Sequence, residues 1–166
     1  CAAALGLIKS KPGASCKALK SAGLVNSGMY FIDVDGKGPL AVFETWCDMT
    51  ADGGGWTLLG TIFGGDANNW NVEFGPWSST TTLGTTATPF EDFKSRAWFE
   101  LDISNAEILW QRRFGGVQRA SVVLANSCQG GRGLFHQLFT SWDTGVSCGT
   151  SQIQVLSPVD GTGTGY

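Results

Sequence analysis

Three consecutive glycines, Gly53-Gly54-Gly55, constrain this chain more than any other feature. They sit between two apolar-rich segments, Leu40–Trp46 and Trp56–Ile62, which read as strands joined by a tight polar connection. Glycine lets the backbone take positive φ and approach neighbouring chain where a side chain would collide. Trp56 brings a large apolar surface straight out of the bend and is expected to cap a core. Cys47 stands at the end of the incoming strand, where a disulfide can pin it.

The 166 residues suffice for one domain with a real core, so a single domain over 1–166 is expected. A hydrophobic content of 42% against 15% charged residues argues for a folded globule. The net charge is −3 and no Lys/Arg-rich run occurs, which removes the electrostatic basis for nucleic-acid binding. No apolar run reaches the length of a membrane span. No charged segment followed by an apolar export signal is present either. Five cysteines point to an oxidising compartment and leave one unpaired. They are far apart, with no Cys-x-x-Cys and one histidine, so zinc–thiolate binding is disfavoured.

Along the chain, apolar Cys1–Ile8 reads as a short helix stopped by Lys11-Pro12-Gly13. Cys1 has three readings: a disulfide partner, a lipid-bearing first residue, or the cut end of a longer chain. The second is disfavoured because a lipoprotein usually carries a polar tether after its cysteine. Ser15 is placed to cap a helix over Cys16–Ala22, with Gly23 as its stop. Met29–Val34 follows as a strand. Asp33-Val34-Asp35-Gly36 has the start of a calcium loop, but Pro39 and Leu40 fall where oxygen ligands belong, so a polar turn is favoured. Calcium is therefore left open as a cofactor.

Gly64–Thr88 is a long polar segment with interspersed aromatics, the kind of loop that tends to carry function. Asp66, Asn68 and Asn69 can ligate a cation or hydrogen-bond sugar hydroxyls, and Trp70 or Trp77 can stack on an apolar sugar face. The competing reading has both tryptophans anchoring the loop while the polar residues satisfy turns. Thr88-Pro89-Phe90-Glu91 has the marks of a helix start, with Phe90, Phe93 and Ala97 on one face and an end near Trp98–Leu101. Strands are expected over Ala106–Gln111, Arg119–Ala125 and Ser151–Leu156, with a turn at Arg112–Gly116. A short amphipathic helix is expected over Gly133–Trp142, bracketed by Cys128 and Cys148, a second disulfide argued from chain proximity alone. The glycine-rich tail, Gly161–Tyr166, reads as a turn or loose end.

Tyr30-Phe31-Ile32-Asp33, Asp35-Gly36, Trp46-Cys47-Asp48-Met49-Thr50 and Asp52-Gly53-Gly54-Gly55-Trp56-Thr57 together resemble the N-terminal signature of fibrinogen-related domains, in particular their intelectin-like and bacterial branches. The resemblance is clear from Ser15 to Leu59, has a fainter echo at Asp92-Phe93-Lys94-Ser95, and fades beyond Gln111. It implies an α+β, fibrinogen-like fold: a small, twisted, mostly antiparallel sheet with short helices and long loops, stabilised by a Cys16–Cys47 disulfide. It also implies an extracellular, exported recognition domain for glycans or acetylated ligands. The family's C-terminal ligand subdomain is reduced or absent here, so none of its ligand residues transfer.

Catalysis has little support. His136 is the sole histidine, no Gly-x-Ser-x-Gly elbow occurs, and no phosphate-cradling or dinucleotide motif is present. The expectation is a non-enzymatic, lectin-like adhesin tip that binds surface glycans through Asp66, Asn68, Asn69, Trp70, Trp77, Trp142 and Asp143. A homo-oligomer, trimeric by preference, fits such a tip. The alternative is a structural or oligomerisation domain of an extracellular fibre without a sugar site.

Overall fold

A computed structural model describes residues 5–61, 75–76, 79–84, 92–101, 105–111, 117–123 and 152–158. It divides into two compact units, Cys1–Leu101 and Asp102–Tyr166.

The first unit starts from a helix whose ends follow its sequence closely. Helix α1 spans Cys16–Ser21, and the Ser15 side chain accepts a hydrogen bond from the Ala18 amide at 3.0 Å. At the other end Gly23 N–H donates to Lys20 and Leu24 N–H to Leu19, with Gly23 at φ +93°. This left-handed cap satisfies carbonyls the helix would leave open and turns Leu24 back onto the core.

Strands β1 (Gly28–Ile32) and β2 (Phe43–Asp48) pair antiparallel, with Tyr30 opposite Thr45 and Ile32 opposite Phe43. Alternation sends Tyr30, Ile32, Phe43, Thr45 and Cys47 to one buried face. Leu19, Met49 and Ala97 complete that core, and the expected Cys16–Cys47 disulfide fastens α1 to β2 with its Cα atoms 5.4 Å apart. A short 3-10 turn, Ala51–Gly53, leads into β3 (Trp56–Thr57), which pairs antiparallel with Cys47 and Asp48. The strand–bend–strand expectation holds, although Leu40 lies exposed before the strand. Trp56 is only partly buried and donates its indole N–H to Ala51 O at 2.8 Å, so it braces the bend instead of capping the core.

The helix expected near the N-terminus does not form over residues 5–8. Gly6, at φ +78°, and Gly13 press against Leu19, where an added Cβ would lie 2.8 and 2.4 Å from its side chain. The backbone here also pairs with β1. Phe31 N–H donates to Gly6 O, Gly13 N–H to Phe31 O, and Asp33 N–H to Gly13 O, all within 2.9 Å. A helix would consume these same groups, and one so short has little stability of its own.

A second small sheet has the order β4–β6–β5, formed by Gly60–Thr61, Phe93–Lys94 and Leu83–Gly84. It corrects two expectations. The Gly64–Thr88 segment contains strand β5, and where a helix was predicted through Phe93 the chain forms strand β6, followed by helix α2 (Ala97–Glu100). Phe93 and Lys94 are both buried between two strands, so pairing overrides their helical spacing. Ser95 then restarts the chain as a helix, its Oγ accepting from the Ala97 amide at 3.1 Å.

The second unit contains the antiparallel sheet β7–β8–β9: Asn105–Gln111, Val117–Val123 and Gln152–Pro158. The register runs from Asn105 opposite Val123 to Gln111 opposite Val117, and shifts between Arg119 and Ala120 against β9. All three strands were expected, with ends displaced by at most two residues. The turn at 112–116, the helix at 133–142, the Cys128–Cys148 pair, the tail and Cys1 lie outside the described residues.

Candidate functional site

Two polar constructions stand out in the first unit. The first is the bend after β2. Asp48 Oδ1 accepts from Thr50 N–H (2.8 Å), Thr50 Oγ1 (2.9 Å), Ala51 N–H (3.0 Å) and Ser27 Oγ (3.2 Å). Burial raises its carboxyl pKa, but the hydrogen bonds from Ala51, Thr50 and Ser27 outweigh that effect and hold it below the usual value of 3.8. Lys20 Nζ reaches over from α1 to Met49 O at 2.7 Å. Gly53, Gly54 and Gly55 all have positive φ, as their sequence implied. Gly54 is the strictest: φ +77° and ψ 177° belong almost to glycine alone, and a Cβ there would lie 2.1 Å from Met49 O. The carboxylate of the bend is thus engaged by its own backbone and by neighbouring hydroxyls.

The second construction is Lys94. Its side chain is fully buried, and its ammonium donates to the carbonyls of Ser79 and Thr81 and lies 5.2 Å from the centre of the Phe99 ring. Burial pushes its pKa down from 10.5 to about 8. The neighbouring Ser95 shares a 2.9 Å hydrogen bond with Thr45 Oγ1, and its amide donates to Leu59 O. Lys94 thus holds residues 79–81 while Ser95 ties β6 to β2. The chain leaves this sheet at β4 and returns at β5, both paired to β6. Both ends of the 62–82 segment therefore stand on one strand.

The Asp33–Leu40 stretch is a polar turn: Asp35 Oδ2 accepts from Leu40 N–H at 2.9 Å and Gly36 has φ +66°. Among the described residues no cluster of three or more His, Cys, Asp or Glu could hold a metal ion. Asp66, Asn68, Asn69, Trp70, Trp77, Trp142, Asp143 and His136 lie outside the described residues. Sequence reasoning singled out neither Asp48 nor Lys94 for a role. Both lie within the motif stretches quoted above, but Lys94 stands in the polar run Glu91-Asp92-Phe93-Lys94-Ser95-Arg96, which gives no sign of its burial.

Residues 13–78 match the family model for the C-terminal globular domain of fibrinogen beta and gamma chains. This stretch of the chain is similar to fibrinogen-related domains. The match begins just before α1, takes in the disulfide and the triple-glycine bend, and runs on past Leu59, the end of the clear resemblance in the sequence, to include Asp66 through Trp77. Among solved structures, the fibrinogen-like globe domain of human ANGPTL6 is similar at 21% identity and a TM-score of 0.47, over 70% of this chain. The chain spans about half, 51%, of that protein's chain. A fibrinogen-like domain is consistent with an extracellular recognition or binding role, and such domains are generally non-enzymatic. No helix among the described residues is long and apolar enough to cross a membrane.

Proposed function

We propose that this chain is a single extracellular recognition domain, without enzymatic activity, that binds surface glycans as the tip of an oligomeric adhesin. The observation that carries the reading is the seating of the 62–82 segment. It leaves from β4, returns as β5 on the same strand, and is gripped at Ser79 and Thr81 by buried Lys94. A loop with fixed ends on a disulfide-braced base loses less freedom on binding than a loose one. Its composition suits sugar: Trp70 and Trp77 offer stacking faces, and Asp66, Asn68 and Asn69 offer hydrogen bonds to hydroxyls. Trp142 and Asp143 are the same chemistry in the second unit. Display on a homo-oligomer, a trimer by preference, would raise avidity without improving each site.

A glycan array probed with calcium and with chelator tests the proposal. Binding to defined sugars that is lost in Trp70→Ala, Trp77→Ala or Trp142→Ala is the expected result, and chelator reports whether calcium takes part. An array without signal, together with a stable oligomer in light scattering, would replace the glycan reading with the structural, fibre-forming one.

A further inference from the structure

The loop before α1 presents apolar side chains in a way the fold does not require. Leu7 is 53% exposed, and Leu5 and Ile8 are exposed beside it. Their exposure is fixed by the backbone. Gly6 N–H donates to Lys11 O at 2.7 Å and Lys11 N–H to Ile8 O at 3.0 Å, closing residues 6–11 into a tight loop. The base of that loop is clamped by the bond from Phe31 N–H to Gly6 O and by the close seat of Gly6 and Gly13 on Leu19. The tip cannot fold its apolar side chains back into the core without breaking these contacts.

Charge selects the occupant. Lys9 and Lys11 are exposed within the same loop, and residues 1–32 contain Lys9, Lys11, Lys17 and Lys20 but no Asp or Glu. The whole chain is at −3, so this positive end stands against an acidic remainder. We propose that the Leu5–Lys11 loop is a membrane-contacting tip, inserting Leu7 and Ile8 among lipid chains while Lys9 and Lys11 meet anionic headgroups. A bilayer fits this tip better than a protein partner does. Exposed apolar side chains on a loop of fixed backbone need a matching cavity on a protein, whereas a fluid lipid surface needs none. The inference is independent of the glycan reading.

Vesicle co-sedimentation of the full chain tests it, with mixed phosphatidylcholine–phosphatidylserine vesicles beside phosphatidylcholine alone. The expected result is sedimentation with the anionic vesicles that weakens as salt is raised. Leu7→Ser with Ile8→Ser should lower the partition by roughly tenfold or more. Lys9→Gln with Lys11→Gln should lower it about fivefold per lysine at low salt. These side chains are exposed, so unchanged melting curves would separate lost contact from lost fold. Equal sedimentation of wild type and the Leu7/Ile8 variant, or none with anionic vesicles at low salt, overturns the proposal. It also fails if the same variant instead lowers the mass in light scattering, because the tip would then pack on a second copy.

Discussion

The α1–β1–β2–β3 region and the β4–β6–β5 sheet belong to one compact unit but are built by opposite means. In the former, nearly every local preference agrees with the final packing. Ser15 caps the helix it precedes, Gly23 ends it, and the glycines bend where the strands need a bend. In the latter, local preference is overruled. A segment spaced like a helix is pulled into a strand, and a lysine is buried at its centre. The two treat charge differently as well. Asp48 gains enough hydrogen bonds to favour its ionised form, whereas Lys94 is held by carbonyls and an aromatic ring that do not offset its burial. The first region is specified residue by residue; the second is specified by its neighbours.

The largest effect that should sharpen this contrast comes from the disulfide. Replacing Cys16 and Cys47 together by Ser should cost roughly 3–4 kcal/mol, as expected for a bridge across this chain separation. Urea denaturation should show that loss, and a change below the noise of the measurement would mean that packing alone holds α1. Next comes Gly54→Ala, expected to cost roughly 3 kcal/mol because its backbone angles exclude side chains. Gly53→Ala, whose added Cβ meets open space, should keep only backbone strain, roughly 1–2 kcal/mol. If the two variants melt alike, the close approach to Met49 O does not matter.

Asp48→Ala should cost about 1.5 kcal/mol through the hydrogen bonds it removes. Its folded pKa is depressed, so its contribution is present above the unfolded value and disappears as pH falls below 3.8. Wild type and variant should therefore converge in acid, and a constant difference across that range would show that the carboxylate charge is not involved.

The last effect belongs to the second sheet, where the charge opposes folding instead of supporting it. Lys94 binds its proton less tightly when folded, so the unfolded chain holds more protons between pH 8 and 10.5. Its burial penalty applies in full below pH 8 and is relieved as pH rises through that window. Stability attributable to Lys94 should thus increase with pH there, and Lys94→Met should flatten the slope. A wild-type slope equal to that of the variant would show that the ammonium is solvated.

How much could be read beforehand follows the same division. The Cys16–Cys47 bridge was legible through the resemblance to fibrinogen-related domains, whereas the bend, α1 and the strands of the second unit were legible because short-range signals there point towards the final packing. The strand at Phe93–Lys94 was not, because Thr88-Pro89-Phe90-Glu91 advertises a helix and only β4 and β5, distant in sequence, explain why Phe93 and Lys94 pair instead. The N-terminal segment misled for a similar reason: apolar Cys1–Ile8 suggests a helix, but nothing local reveals that Gly6 must hydrogen-bond to Phe31. The role of Lys94 was hidden because its partners are carbonyls, which every residue carries and no motif marks.

The pairing of residues 6–13 along β1 has one more consequence. The outer rim of the first sheet is already taken, with Phe31 N–H, Phe31 O and Asp33 N–H engaged by Gly6 and Gly13. No incoming strand can lengthen the sheet on that side without stripping those residues away. Copies of this domain meeting there must recognise one another by side chains, which makes a defined assembly easier to reach than open-ended stacking.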